Sequence, residues 1–185
     1  MRRVSGNHGV ALVQLLIAIF IMLTLTILAI PSIRATQADN RITGDAQGIA
    51  GRLALAKMKA AANFTQERLN FNLTAGTYSL EIYDRASSSF KNDEGAQGGA
   101  QYLTTGDSFG FGSIAAPAGG QATIQQSALI TFNSRGIPID SSGNPTSTYT
   151  IYLNNGSGIF YAITPSLSGR IIVYRWNGTV WQGAV

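Results

Sequence analysis

VALVQLLIAIFIMLTLTILAI, residues 10–30, is the stretch on which the reading of this chain turns. It carries no charge, and a helix of about 20 apolar residues matches the roughly 30 Å hydrocarbon core of a bilayer. A secretory signal would have a shorter apolar region closed by a small-residue cleavage site, whereas Pro31 and Ser32 lead into polar, helix-forming sequence. Arg2 and Arg3 precede the run, so the positive-inside rule keeps the short N-terminus in the cytoplasm and places everything after Pro31 on the far side. On these properties alone the chain reads as a single-pass membrane protein.

Beyond Pro31, Ile42, Ala46, Ile49, Leu53, Ala56 and Ala60 are spaced alternately by four and three, which places them on one face of a helix reaching to about Asn63. Asp39, Arg41, Asp45, Arg52, Lys57 and Lys59 fall mostly off that stripe and read as a solvated or filament-facing surface. Gly44, Gly48 and Gly51 each weaken an isolated helix by about 1 kcal/mol relative to Ala, so packing must hold this part. After Asn63 the pattern turns to alternation. Residues 67–73 and 78–83, separated by Thr74-Ala75-Gly76-Thr77, predict a hairpin whose glutamates, Glu67 and Glu81, lie on a solvated polar face. Further strands are expected over 128–132, 149–153, 160–163 and 169–176, with a tight Asn177-Gly178 hairpin leading into Thr179-Val180-Trp181. Between them, residues 86–126 are rich in Ser, Gly, Ala and Gln and read as a variable excursion with one short strand near 108–114; partner specificity has room there.

The chain has 185 residues, 45% of them hydrophobic and 12% charged, enough for one membrane-length helix and one modest domain. Removing Arg2 and Arg3 from the 13 basic side chains, against 9 acidic ones, leaves a balance of +2, too small to imply an anionic partner. There is no cysteine, and the one histidine, His8, lies ahead of the apolar run, so imidazole, thiolate and zinc chemistry are excluded from the part that follows. We expect no enzyme, cofactor or metal. Asp140-Ser141-Ser142-Gly143-Asn144 could cup calcium, but the same residues make an ordinary turn.

The order Gly9-Val10-Ala11-Leu12-Val13-Gln14-Leu15-Leu16 after a short basic leader resembles the prepilin peptidase signal of type IV pilins and pseudopilins. Counted from Val10, Pro31 is the twenty-second residue, where that family commonly has a kinking proline. Two positions depart from the pattern: Val10 stands where an aromatic is usual, and Gln14 where a glutamate is usual. In the family that glutamate is thought to pair with a neighbour's N-terminal amine; Gln14 offers only neutral hydrogen bonds. It is either a tolerated polar residue or the mark of a tip or initiating subunit. Ile130-Thr131-Phe132-Asn133-Ser134-Arg135-Gly136-Ile137-Pro138 and Ser168-Gly169-Arg170-Ile171 are similar to segments of the GspH/FimT-type subfamily, so the resemblance covers most of the chain outside the excursion.

The resemblance implies an α+β fold, with a long N-terminal helix, transmembrane then amphipathic, on a C-terminal antiparallel β-sheet head. Its parts would be a leader (1–9), a transmembrane and assembly helix (10–31), an amphipathic continuation (32–63) and a periplasmic head (64–185). It implies cleavage by prepilin peptidase between Gly9 and Val10, N-methylation of Val10, a kink at Pro31, and residence in the bacterial inner membrane before assembly. The partners would be other pilin or pseudopilin subunits of a pilus or type II secretion pseudopilus. Some FimT-type proteins serve DNA uptake through a Gly-Arg-x-Arg motif; here only Arg170 matches, with Arg175 nearby and Tyr174, Trp176 and Trp181 as bases' stacking partners or as core. A simple membrane-anchored periplasmic domain is the rival reading.

Overall fold

The computed structural model describes residues 8–93 and 99–183, without the side chains of 8–10, 28, 29, 31 and 32. Most of the expected leader therefore lies outside the described residues, as do residues 94–98 of the excursion. The chain divides into two units, 1–39 and 40–185. One helix, α1 (His8–Ala62), supplies all the described structure of the first and opens the second.

In the first unit every described side chain from Ala11 to Ile27 is exposed. Among the described residues no helix is long and apolar enough to cross a membrane, so the expected span over 10–31 is not recovered as one.

In the second unit the helical stripe is as the spacing predicts: Ile42, Ala46, Ile49, Leu53, Ala56 and Ala60 are all fully buried. The helix stops through bonds from Asn63 N–H to the Lys59 carbonyl and Thr65 N–H to the Ala60 carbonyl, with Phe64 in the left-handed region at φ +48°.

Among the described residues eleven strands follow: β1 (Glu67–Asn72), β2 (Thr77–Asp84), β3 (Ser89–Asn92), β4 (Gln101–Tyr102), β5 (Ser108–Phe109), β6 (Leu129–Phe132), β7 (Pro138–Ile139), β8 (Ile151–Asn154), β9 (Phe160–Pro165), β10 (Ile171–Trp176) and β11 (Trp181–Gly183). They form two antiparallel sheets rather than the one expected, ordered β3-β2-β1-β6-β7, with β4 also on β2, and β11-β10-β9-β8-β5. Leu69, Phe71, Leu80, Ile130 and Phe132 of the first and Ile151, Leu153, Ile163 and Val173 of the second share one core with the helical stripe. On the other face of the second sheet Tyr152 and Ala162 pack with Ala118, Phe111 and Trp181.

That second cluster corrects the reading of 86–126. Its described residues hold three short strands, not one, and its later part covers a sheet face. Ala118 N–H donates to the Tyr152 hydroxyl at 3.0 Å, and Trp181 Nε1 donates to the Ala116 carbonyl at 2.8 Å. The C-terminal hairpin also differs from expectation. Trp176 pairs with Trp181, leaving the longer loop 177–180, because Asn177 Oδ1 takes the N–H groups of Thr179 and Val180.

Candidate functional site

The residues expected to direct processing and assembly lie on the first part of α1. Gly9 and Val10 fall in its first turn, although the side chains there and residues 1–7 lie outside the described residues. Gln14 is exposed within the apolar stretch, and Pro31 lies inside the helix. Around Gln14 and beyond, Leu12 is 64% exposed, Phe20 64% and Met22 70%. The threonines in this stretch are already satisfied: Thr24 Oγ1 donates to the Ile21 carbonyl and Thr26 Oγ1 to the Met22 carbonyl, both at 2.8 Å. Apart from Gln14, the surface therefore offers a neighbour no unmet side-chain donor between Ala11 and Ile27.

In the second unit, the two glycines of the C-terminal signature meet. Gly136 ends the turn that begins at Asn133, with φ +73°, and Gly169 sits in the turn before β10 with φ +75°. A Cβ on Gly169 would overlap the Gly136 carbonyl oxygen, and one on Gly136 would stand 2.9 Å from Lys57 Cγ. Lys57 Nζ completes the junction by donating to the Gly169 carbonyl at 3.0 Å. Neither glycine tolerates a side chain, so the helix and the two turns approach more closely than any other residue would permit. The sequence displayed both glycines but not their contact, nor the part played by Lys57.

Asp45 and Lys59 likewise belong to the domain rather than to a free charged surface. Asp45 accepts from Thr104 N–H at 2.8 Å and Thr104 Oγ1 at 2.9 Å, and Lys59 pairs with Asp93. Asp107 lies beside Asp45; burial first, then the Asp45 charge, push its carboxyl up to about 6.

The arginines considered for nucleic acid are both exposed, Arg170 just ahead of β10 and Arg175 within it. Arg175 lies over the Tyr161 ring at 5.8 Å. Trp176 and Trp181 pack on each other at 5.2 Å across the hairpin, and Trp181 also packs on Tyr152, so these rings are engaged within the fold. In the loop after β7, Asp140 Oδ1 accepts from Ser142 and Asn144 N–H, each at 2.9 Å, which makes the turn.

The expectation that Glu67 and Glu81 lie on a solvated face is overturned. Glu67 shares the inward parity of Leu69 and Phe71 and is fully buried. Glu81 points the other way, yet Arg68 Nε and Asn70 Nδ2 both bond to it and it is 9% exposed. Burial raises the Glu67 carboxyl from 4.5 to about 6, and nearby Asp93 adds to this, while the Asn63 amide and Lys59 oppose it. A carboxyl raised on folding is most favourable to the fold while protonated. Its contribution is intact below 4.5 and is lost as pH climbs through about 6. Glu67→Gln should therefore match the wild type near pH 4.5 and exceed it at pH 7.5 by about 2 kcal/mol. Thermal unfolding at the two pH values checks this, and a variant that weakens with pH as much as the wild type would refute it.

Helix, two antiparallel sheets and a shared core define an α+β protein. No family model matches the chain, and no curated protein matches it. Among solved structures it is similar to the minor pseudopilin EpsH from the Type 2 Secretion System of Vibrio cholerae, at 14% identity and a TM-score of 0.46, over 72% of this chain and 95% of that one. Among the described residues no group of three or more His, Cys, Asp or Glu side chains is placed to hold a metal ion.

Proposed function

We propose that this chain is a minor pilin or pseudopilin of the GspH/FimT type. Prepilin peptidase cuts it between Gly9 and Val10, the new amine is methylated, and the helix that follows packs among those of other subunits in a pilus or type II secretion pseudopilus. The observation that carries the reading is the helical surface of residues 11–27, apolar at nearly every position and wholly exposed. Burying one such Leu, Ile or Phe is worth about 1.5–3 kcal/mol, so an isolated helix of this kind in water has a strong drive to be covered. Neighbouring helices cover it in a filament. Before assembly, lipid does so for the whole uncharged run Val10–Ile30, with the second unit on the periplasmic side. Gln14 then enters the helix bundle as a neutral hydrogen-bonding group without the desolvation cost of a carboxylate.

The mature N-terminus tests the proposal. Mass spectrometry of chain produced with prepilin peptidase should find a peptide beginning at methylated Val10, and chain produced without it should keep Met1. An intact leader under both conditions would leave a membrane-anchored domain with no filament role.

A further inference from the structure

We propose that residues 104–107 form a pH-operated latch: Asp107, set against Asp45 of α1, keeps this turn on the helix in acid and releases it as both carboxyls ionise. The turn lies between β4 and β5, and its flanks are fixed. Leu103 and Phe109 pack on the core, Phe109 with its ring 5.7 Å from that of Phe71, and Leu103 N–H donates to the Gly76 carbonyl at 2.9 Å. The turn itself closes through the bond from Asp107 N–H to the Thr104 carbonyl at 2.9 Å. Asp45 ties it to the helix by accepting from Thr104 N–H and Oγ1.

The charges at this contact are poorly matched. Thr104 gives Asp45 two donors, whereas both carboxyl oxygens of Asp107 are buried and have no hydrogen-bond partner. Two carboxylates so placed repel, and one without donors keeps its full desolvation cost, so the closed turn suits a protonated Asp107 and penalises an ionised one. The opposing group is Arg41, one helical turn before Asp45: its Nη2 lies 3.5 Å from where a Cβ on Gly106 would stand. Arg41 is exposed, and water weakens what it can offset. Tyr78 of β2 also faces Asp45; burial and then the Asp45 charge push its hydroxyl up, Arg52 opposes them, and it stays neutral in the range that matters here.

Burial and then the Asp45 charge raise Asp107 from 3.8 to about 6 in the closed turn. A carboxyl raised by closure favours closure while it is protonated. That preference is intact below 3.8 and is lost as pH climbs through about 6. Opening brings water to Asp107 and separates it from Asp45, while Leu103 and Phe109 hold the flanks in place, so the movement is local. It uncovers Asp45 and the helix surface beside it.

Amide hydrogen exchange of the full chain in dodecylphosphocholine micelles, read by NMR and corrected for the intrinsic pH dependence of exchange, tests this. At Thr104 and Asp107 the opening equilibrium should rise about tenfold per pH unit between pH 4 and 6, about a hundredfold in all, and then level off. The Leu53 amide, which opens only with the whole unit, should exchange far more slowly at every pH. Asp107→Asn keeps the shape of the side chain but cannot ionise, so it should remove the rise. Arg41→Gln takes away the opposing charge and should extend the rise to higher pH, which decides the matter even if the first variant fails to fold. No rise, the same rise in folded Asp107→Asn, an unchanged profile in Arg41→Gln, or exchange at Thr104 no faster than at Leu53 would each overturn the proposal.

Discussion

Gly169→Ala is expected to destabilise the second unit by about 3 kcal/mol or more, roughly a 10 °C fall in Tm for a domain of this size. Two costs combine. At φ +75° any Cβ is strained, by about 1–2 kcal/mol. The added methyl would also overlap the Gly136 carbonyl oxygen, while Lys57 Cε and Nζ at 3.3 Å bar retreat on the other side. Gly143→Ala separates the two, since Gly143 has φ +84° but nothing within 4 Å of its Cβ position. It should lose only the strain part. If thermal unfolding finds the two variants equally damaged, the junction of Lys57, Gly136 and Gly169 is not the tight contact described here.

The same junction shows what a sequence can and cannot display. The stripe from Ile42 to Ala60 was legible because a helix stamps its 3.6 period on every buried position. The hairpin of β1 and β2 was legible because alternation and a glycine turn agree. Glu67 shares its parity with Leu69 and Phe71, which points inward, while its residue type points to solvent; the structure follows position. Strands β3 and β4 have little pattern of their own, being short segments that take their conformation from pairing with β2. The later excursion was opaque for a different reason. Gln121 and Gln126 organise it through side-chain amides, whose partners lie well along the chain at Tyr152, and no local period announces such bonds. Tyr152 did carry a trace of this: β8 is buried on both faces, and a strand with Ile151, Tyr152 and Leu153 in succession is what a doubly covered strand looks like.

The apolar surface of α1 was the most legible feature and supports the second large prediction. Ile19→Asp should leave the folded second unit unchanged and abolish recovery of the chain in filaments. Ile19 is half exposed on the first unit and contributes nothing to the core around Leu53, so the melting transition should move by no more than a surface substitution does, about 0.5 kcal/mol. In an apolar surrounding, lipid or helix bundle, the carboxylate costs about 3 kcal/mol or more. Leu53→Ala makes the converse variant. Leu53 is fully buried, so its truncation should cost about 2–5 kcal/mol of stability while leaving the assembly surface intact. Thermal unfolding of both variants, set against their share in sheared filaments, should show stability lost without assembly in one and assembly lost without stability in the other. Ile19→Asp chains that enter filaments like the wild type would mean that this helix is not an assembly surface, since a carboxylate introduced among apolar side chains carries its desolvation cost into any interface that buries it.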